Sequence, residues 1–276
     1  MNQTSDFKKI NASIFQGSAV GPTLFTLNSI DLKPIDSNNF LDKYADDSYL
    51  IVGSNNEISI NRELSNIETW ASVNNLQLNK SKTKEILFAT STAGKKASSN
   101  SEPIPGIDRV DYIKILGITL TGTFSMSLHI DNLLSSSMQG FYALKTLKSS
   151  GLNNQCTRQI FKSTIIPKLT YALPAWRGFI TQRDENRLAS IFRKALKWGY
   201  LTTSDPSLVY IMDQRDKNLF QKVIANSLHT LHFLLPPAKT RQHNLRPKDH
   251  NRQLPIKDNN LLGKNFLYRM LYKSVY

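Results

Sequence analysis

From residue 127 onward, apolar residues recur at three- and four-residue spacings along the chain. Such spacing places the apolar side chains on one face of a helix, so the rear half is predicted to be a set of packed helices. Pro167 is expected to end the second helix and Pro236 the fourth, because proline cannot continue a helix. The four apolar stripes span residues 130–144, 160–165, 188–195 and 219–231.

The front of the chain mixes helical and extended patterns. Residues 22–34 and 57–75 carry apolar residues at helical spacing. Between them, residues 40–52 are rich in β-branched and aromatic residues on both sides of Asp46-Asp47, which predicts a hairpin with both aspartates at its turn. Together with the helical rear, this predicts an α+β fold with a small, mainly antiparallel sheet. Further extended pairs are predicted over residues 76–88 and 110–120.

The whole chain has a net charge of +14, and the positive charge is concentrated in its later parts. Residues 1–90 hold 8 basic and 10 acidic side chains, whereas residues 239–276 hold 9 and 2. An acidic front and a basic rear suggest an ion-binding site beside a phosphate-binding surface, although basic stretches can also simply solvate a fold. A single cysteine, Cys156, excludes an internal disulfide and a cysteine-rich zinc finger.

Targeting signals are absent from the sequence. No apolar run approaches the roughly 18–20 residues that span a bilayer. Residues 1–6 lack the apolar core of a secretory signal. We therefore expect an intracellular protein, cytoplasmic or nuclear, that is not secreted and does not enter a membrane.

The adjacent carboxylates of Asp46 and Asp47 are the first candidate for chemistry. Clustered carboxylates repel one another and favour a bound cation, and hard oxygen ligands suit Mg²⁺. Two such ions, about 3.5–4 Å apart, commonly assist displacement at phosphorus. The alternative is an ordinary turn, because aspartate is a frequent turn former.

Four motifs in a fixed order favour the catalytic interpretation of this aspartate pair over an ordinary turn. They are Gln-Gly-Ser-Ala-Val-Gly-Pro at 16–22, Tyr-Ala-Asp-Asp at 44–47, Leu-Gln-Leu-Asn-Lys-Ser-Lys-Thr-Lys at 76–84 and Lys-Ile-Leu-Gly-Ile at 114–118. Together they resemble the C-terminal part of the reverse transcriptase of animal non-LTR retrotransposons, an RNA-directed DNA polymerase. The resemblance implies an incomplete polymerase palm over residues 1–122, a helical thumb over 123–238 and a basic extension over 239–276.

The resemblance also implies roles around the hairpin. Asp46 would be the main magnesium-binding carboxylate and Asp47 its supporting neighbour, in a reaction that uses two Mg²⁺ ions. Tyr44 would lie near the primer end, while Gln16 and Gly17 would face the incoming deoxynucleoside triphosphate and the template.

The lysine motif offers a positive charge for the leaving group. Lys82 would protonate or stabilise departing pyrophosphate. Lys80 and Lys84 are rivals for this role, and all three could be solvated surface charges.

The remaining implied contacts are with the RNA template and DNA primer. Lys114 and Gly117 belong to the motif that resembles the primer grip. On the predicted thumb, a basic surface can hold a nucleic-acid backbone through its phosphates. Its candidates are Arg187, Arg193, Lys194 and Lys197, whereas Trp70, Trp176 and Trp198 are expected to be core or interdomain anchors.

The family's other catalytic aspartate lies on a strand well before the Gln-Gly loop, and only 15 residues precede Gln16. The resemblance therefore implies that this first carboxylate is missing, and we expect weak or absent Mg²⁺ binding and little activity from the chain alone. Three functional hypotheses remain: a polymerase fragment, a non-catalytic nucleic-acid-binding remnant of a truncated element, and a product without function. The oligomeric state is not predicted.

Overall fold

The structure, a computed structural model, describes residues 18–89, 91, 94, 101–239 and 250–273. The chain divides into two compact units. The first comprises Met1–Glu85 with Glu102–Arg109, and the second comprises Ile86–Ser101 with Val110–Tyr276. Helices and short strand pairs are both present, so the predicted α+β class is confirmed. The predicted palm, thumb and extension are functional assignments that stay predictions.

The described residues of the first unit form two helices and four short strands. Pro22 lies in the first turn of its first helix, where a missing N–H costs nothing. A 3₁₀ turn, Glu57–Ser59, leads into the second helix. The elements are α1 (Gly21–Asn28), β1 (Phe40–Tyr44), β2 (Asp47–Ile51), α2 (Ile60–Val73), β3 (Lys84–Glu85) and β4 (Asp108–Arg109).

A buried carboxylate joins α2 to the segment before β1. The side chain of Glu63 is 1% exposed. It accepts hydrogen bonds of 2.9 Å from the backbone amides of Ile35 and Asp36 and from Nδ2 of Asn39. Burial alone would raise the pKa of Glu63, but the hydrogen bonds from Asp36, Asn39 and Ile35 outweigh it and lower that pKa. Glu63 is therefore held as an anion inside the unit.

The strands form three separate pairs in the described residues, not one sheet. The pair β1–β2 is antiparallel and β3–β4 is parallel. The predicted extended pair over residues 76–88 is wrong, because only β3 is a strand there and its partner is β4. Side-chain and backbone oxygens of Asn79 accept hydrogen bonds from Ser81, Lys82 and Thr83 and hold a turn instead.

The second unit begins with an antiparallel hairpin and continues as helices. The hairpin pairs β5 (Tyr112–Ile115) with β6 (Ile118–Thr121), as predicted for residues 110–120. The helices are α3 (Ser127–Ser149), α4 (Asn154–Ile160), α5 (Ile166–Leu169), α6 (Leu173–Trp176), α7 (Gln182–Lys197), α8 (Leu208–Ala225), α9 (Asn260–Lys264) and α10 (Phe266–Tyr272).

Pro167 does not end its helix, so that prediction is wrong. It lies in the first turn of α5, directly after a π-helical segment, Phe161–Ile165, that continues from α4. In a regular helix the proline ring would collide with the carbonyl four residues earlier. The wider π turn changes the hydrogen-bond pattern at this point, so the chain stays helical.

Two apolar clusters form the core of the second unit. The larger cluster gathers α3, α5, α6, α7 and the first turns of α8 around residues such as Ile130, Phe161 and Trp176. Ile118 and Leu120 of β6 pack against it, so the β5–β6 hairpin is fixed on the helices. The smaller cluster joins α8 to α10.

Helices α3 and α7 pack side by side in parallel. Asp131 pairs with Arg187, and Met138 contacts Lys194, with the same separation of 56 residues in both cases. A constant separation means that the two helices run in the same direction and in register. At their carboxyl ends, the rings of Phe141 and Trp198 meet edge to face at 4.9 Å between centroids.

The C-terminal helix α10 is tied to α8 by charge. Asp216, on α8, is fully buried and accepts hydrogen bonds from Arg177 at 2.9 Å and from both terminal nitrogens of Arg269 at 2.7 and 3.2 Å. A Cβ added at Gly178 would lie 1.8 Å from the carbonyl oxygen of Lys264. The backbone therefore approaches α9 closely at Gly178. Within the basic extension, residues 266–272 form α10, and its apolar side chains pack in the smaller cluster.

Candidate functional site

The hairpin with Tyr-Ala-Asp-Asp is formed as predicted, but its turn lies one residue earlier. Tyr44 pairs with Asp47, so the turn consists of Ala45 and Asp46, and Asp47 opens β2. The opposed, partly buried Leu41 and Leu50 mark the inward face and so favour this register. Ala45 adopts φ 51°, a left-handed conformation that costs a residue with a Cβ about 1 kcal/mol.

The strand pairing places the two carboxylates in different backbone positions, one in a strand and one in the turn. Asp47 is directly opposite Tyr44, so both side chains share the outward face of the hairpin, whereas Asp46 projects from the turn. Both carboxylates are exposed, and Tyr44 is 63% exposed. Among the described residues, neither aspartate has an ion-pair partner. Their charge is therefore available to a cation from solution.

Among the described residues, Tyr49 contacts one of the two aspartates, Asp47. Its hydroxyl donates a hydrogen bond of 3.3 Å to Oδ2 of Asp47. Burial raises the pKa of Tyr49, and the negative charge of Asp47 raises it further. The tyrosine thus remains a neutral donor that can orient Asp47.

The donor set fits magnesium in type but not in number. Carboxylate oxygens are the ligands that Mg²⁺ prefers, and Asp46 and Asp47 provide them side by side. Within the part of the chain that the structure describes, no cluster of three acidic, histidine or cysteine side chains could hold a metal ion. Two carboxylates alone make a weak site, because the remaining ligands would have to be water or substrate oxygens.

Lys43 is a positioning residue that sequence reasoning missed. It lies on the inward face of β1, and its ammonium donates to the carbonyl oxygens of Ser29 and Leu32, the latter at 2.8 Å. Burial lowers the pKa of Lys43, the charge of Asp31 raises it, and the net effect is a lowered pKa. These bonds attach the hairpin to the segment that follows α1. The two-residue period of a strand puts Lys43 on the same face as Leu41, and this signal was available in the sequence.

The three lysines of the lysine motif differ in whether they form ion pairs. Lys80 pairs with Glu68 at 2.6 Å, and Lys84 pairs with Asp108 across β3 and β4. Lys82 is exposed and has no ion-pair partner in the described ranges. No hydrogen bond or ion pair among the described residues joins Lys82 to the hairpin. Its predicted role in pyrophosphate release stays a prediction.

Two predicted substrate residues, Gln16 and Gly17, lie outside the described residues. The roles proposed for them also stay predictions.

The motif that resembles the primer grip lies at the tip of the β5–β6 hairpin. Its turn consists of Leu116 with φ 45° and Gly117 with φ 89°. The hydroxyl of Tyr171 donates a hydrogen bond of 3.0 Å to the carbonyl of Leu116. A Cβ at Gly117 would lie 3.2 Å from Cε1 of the same ring. Tyr171, which sequence reasoning missed, therefore fixes the turn in place.

Lys114 extends outward from the same hairpin. Its side chain is exposed, while the next helix buries His129 against the opposite strand. The amide of Thr119 donates to Nδ1 of His129 at 3.3 Å. Burial, followed by the positive charge of Lys114, lowers the pKa of His129. The neutral imidazole accepts this hydrogen bond and so holds the hairpin on α3.

Replacing Gly117 with alanine should destabilise the second unit by about 1–3 kcal/mol. The substitution forces a Cβ into a left-handed turn and against the ring of Tyr171. Urea unfolding followed by circular dichroism measures the effect. Gly151→Ala is the matched control, because Gly151 has φ 96° but open space around its added Cβ. Equal losses in the two variants would show that contact with Tyr171 does not matter.

The four predicted thumb residues have different surroundings. Arg187 forms ion pairs with Asp131 and Asp184, so much of its charge is neutralised within the protein. Arg193 and Lys197 are exposed and one turn apart on α7, and Lys194 contacts the sulfur of Met138 at 3.5 Å. The arrangement leaves Arg193, Lys194 and Lys197 with more accessible charge than Arg187.

Comparison with known proteins finds similarity to reverse transcriptases. Residues 1–120 match the model of the reverse transcriptase (RNA-dependent DNA polymerase) family. The chain is 26% identical over 206 residues to the RNA-directed DNA polymerase from mobile element jockey of Drosophila melanogaster. The alignment covers 70% of this chain and 22% of that protein. The chain is 23% identical over 209 residues to the probable RNA-directed DNA polymerase from transposon BS of the same species, covering 71% and 23%.

The chain thus spans about a fifth of the length of these curated relatives. No solved structure matches it significantly. The motifs nevertheless predicted the relationship correctly: this chain resembles the reverse transcriptases of non-LTR mobile elements, and its residues 1–120 match the reverse transcriptase family.

Proposed function

We propose that this chain is the part of a retrotransposon RNA-directed DNA polymerase that supplies the Tyr-Ala-Asp-Asp carboxylates. The observation that carries the proposal is the hairpin itself, which presents Asp46 and Asp47 as exposed carboxylates without an ion-pair partner in the described residues. The match of residues 1–120 to the reverse transcriptase family supports it. The substrates would be an RNA template, a DNA primer and deoxynucleoside triphosphates.

In this proposal each residue of the hairpin has a separate task. Asp46 and Asp47 would hold magnesium, which lowers the cost of charge developing at the reacting phosphate when it is bound. Tyr49 keeps Asp47 oriented through its hydroxyl. Tyr44, beside Asp47, offers an exposed ring to the primer end. Lys43 keeps the hairpin attached to the segment after α1.

We further propose that the 276-residue chain binds Mg²⁺ weakly and has little polymerase activity by itself. Its described residues offer two adjacent carboxylates but no cluster of three metal-binding side chains. In-line displacement with two metal ions uses ligands from more than one element. A working polymerase would therefore need further carboxylates beside this hairpin.

The test combines metal binding with primer extension. Mn²⁺ can replace Mg²⁺ in electron paramagnetic resonance titrations, and we expect weak binding that Asp46→Ala abolishes. Primer extension on an RNA template with Mg²⁺ should be slight for the chain and undetectable for Asp46→Ala. Asp42→Asn is the matched control, because Asp42 shares the outward face of β1 but lies outside the motif.

Two results would contradict these proposals in different ways. Equal Mn²⁺ binding by the unmodified chain and by Asp46→Ala would show that Asp46 is not a ligand of the metal. Vigorous extension by the unmodified chain, lost in Asp46→Ala, would support the polymerase and overturn its dependence on further carboxylates.

A nucleic-acid-binding protein without chemistry is the second candidate. The accessible cations of α7 favour it, since they can hold phosphates whether or not a metal site is complete. Strong binding of template–primer with no extension under any metal condition would support this candidate against the polymerase. An intracellular location, cytoplasmic or nuclear, is part of either proposal. Within the described residues, no helix combines the length and apolar composition needed to cross a membrane.

A further inference from the structure

The carboxyl ends of α3 and α7 carry two aromatic rings that the core does not fully cover. Tyr142 is 74% exposed, and Trp198 is 41% exposed. Trp198 was expected to be a core or interdomain anchor, but it touches the core on one side only, where it meets Phe141 edge to face. Its remaining surface is open.

The parallel register of the two helices brings these rings to the same end. Met138 contacts Lys194 across the seam. Tyr142 lies one turn beyond Met138 on α3, and Trp198 lies one turn beyond Lys194 on α7. The two exposed rings therefore follow the same seam, on a surface that α3 and α7 form together.

The charged residues nearest to the two rings in sequence are all positive. Lys145 and Lys148 follow Tyr142 on α3, and Arg193, Lys194 and Lys197 precede Trp198 on α7. None of these five cations takes part in the ion pairs of the described residues. We call the rings and these five cations, residues 142, 145, 148, 193, 194, 197 and 198, the aromatic–basic end.

Acidic residues are confined to the opposite end of the same helix pair. Asp131 and Asp184 lie near the amino ends of α3 and α7, where they pair with Arg187. No acidic residue occurs between 132 and 149 or between 186 and 198. The helix pair is thus polarised, and the aromatic–basic end carries no acidic side chain of α3 or α7 to oppose the binding of an anion.

We propose that the aromatic–basic end binds single-stranded nucleic acid, with unpaired bases stacked on Tyr142 and Trp198 and phosphates held by the five cations. Exposed aromatic rings among cations are the combination that proteins use for single strands, since every unpaired base offers a flat face. A duplex offers phosphates to the cations but keeps its bases stacked inside. The proposal rests on the proposed function only in taking nucleic acid as the ligand.

Binding of a fluorescein-labelled 15-nucleotide thymidine oligomer to the full chain tests the proposal by fluorescence anisotropy. Tyr142→Ala should weaken single-strand binding at least about 5-fold. It should leave the affinity for a blunt duplex of equal charge within about 2-fold. Tyr142→Phe, which keeps the ring, should bind like the unmodified chain. Tyr210→Ala is the matched control, because Tyr210 is 57% exposed on α8, outside the aromatic–basic end.

The contribution of the cations is measured separately, by the salt dependence of binding. Lys197→Ala should reduce the slope of log affinity against log salt by about 0.7 for the single strand. Lys222→Ala, on the exposed surface of α8, should leave the slope unchanged. Tyr142→Ala should leave the slope unchanged as well, since it removes stacking and no charge.

Three outcomes would overturn the proposal. Equal losses for single strand and duplex in Tyr142→Ala would mean that the surface holds phosphates of any nucleic acid. Single-strand binding unaffected by Tyr142→Ala would leave the rings to another partner, such as a protein. A loss that Tyr142→Phe reproduces would assign the effect to the hydroxyl. None of these depends on Asp46, so failure of the polymerase proposal is distinguishable.

Discussion

Replacing Asp216 with alanine is expected to destabilise the second unit by about 3–5 kcal/mol. Asp216 is fully buried and is the shared acceptor for Arg177 and Arg269. Without it, two largely covered guanidinium groups lose their common counter-charge, which is far more costly than losing a surface pair. Urea unfolding measured by the fluorescence of buried Trp176 gives the change in free energy.

Asp213→Ala provides the matched comparison. Asp213 also accepts from Arg177, at 2.8 Å, and from Lys273, at 2.9 Å, but its side chain is 42% exposed. Water can replace much of its contribution, so we expect a loss of about 1 kcal/mol or less. If the two variants unfolded at the same urea concentration, burial of Asp216 would not be the source of its effect.

Replacing Glu63 with alanine should destabilise the first unit by about 2–4 kcal/mol. Two backbone amides and the amide of Asn39 would lose their acceptor in a place that water hardly reaches. Hydrogen exchange of the α2 amides is the suitable measurement, because it reports on this unit separately. Glu68→Gln, on the same helix but 41% exposed, should change exchange little.

The lowered pKa of Glu63 also predicts a pH dependence. Its ordinary value is 4.5, and the folded value is lower. The stabilisation is therefore fully present above about pH 4.5 and is lost as the pH falls through the folded pKa. Protection of α2 should decline in that acidic range for the unmodified chain. Glu63→Gln should lack this decline, and an identical decline in the variant would assign it to another carboxylate.

Local patterns in the sequence predicted much of this fold. The hairpin over residues 40–52, the helix over 57–75 and the later helical stripes follow from the spacing of apolar residues. The end of the fourth stripe was predicted wrongly, because α8 ends at Ala225, well before Pro236. The turn of the first hairpin was misplaced because Asp46 and Asp47 are equally good turn formers. Pairing of Leu41 with Leu50 decides the register, and that information lies in the folded sheet.

Other features depend on partners distant in sequence. The tie between Asp216 and Arg269 spans 53 residues, and the contact from Tyr171 to Leu116 spans 55. No local pattern could show that Lys80 and Lys84 form ion pairs while Lys82 does not. The order of the motifs predicted the resemblance to reverse transcriptases, but only the structure shows which charges are free of ion pairs.

The fixation of α10 has a consequence for shortened copies of this chain. A chain that ended before residue 266 would lose the partners of Phe220 and Val223, leaving apolar surface on α8 exposed. It would also remove Arg269 and leave the buried Asp216 with Arg177 alone. Such a product should open locally more often and be degraded more readily, so the persistence of the folded second unit depends on residues 266–272.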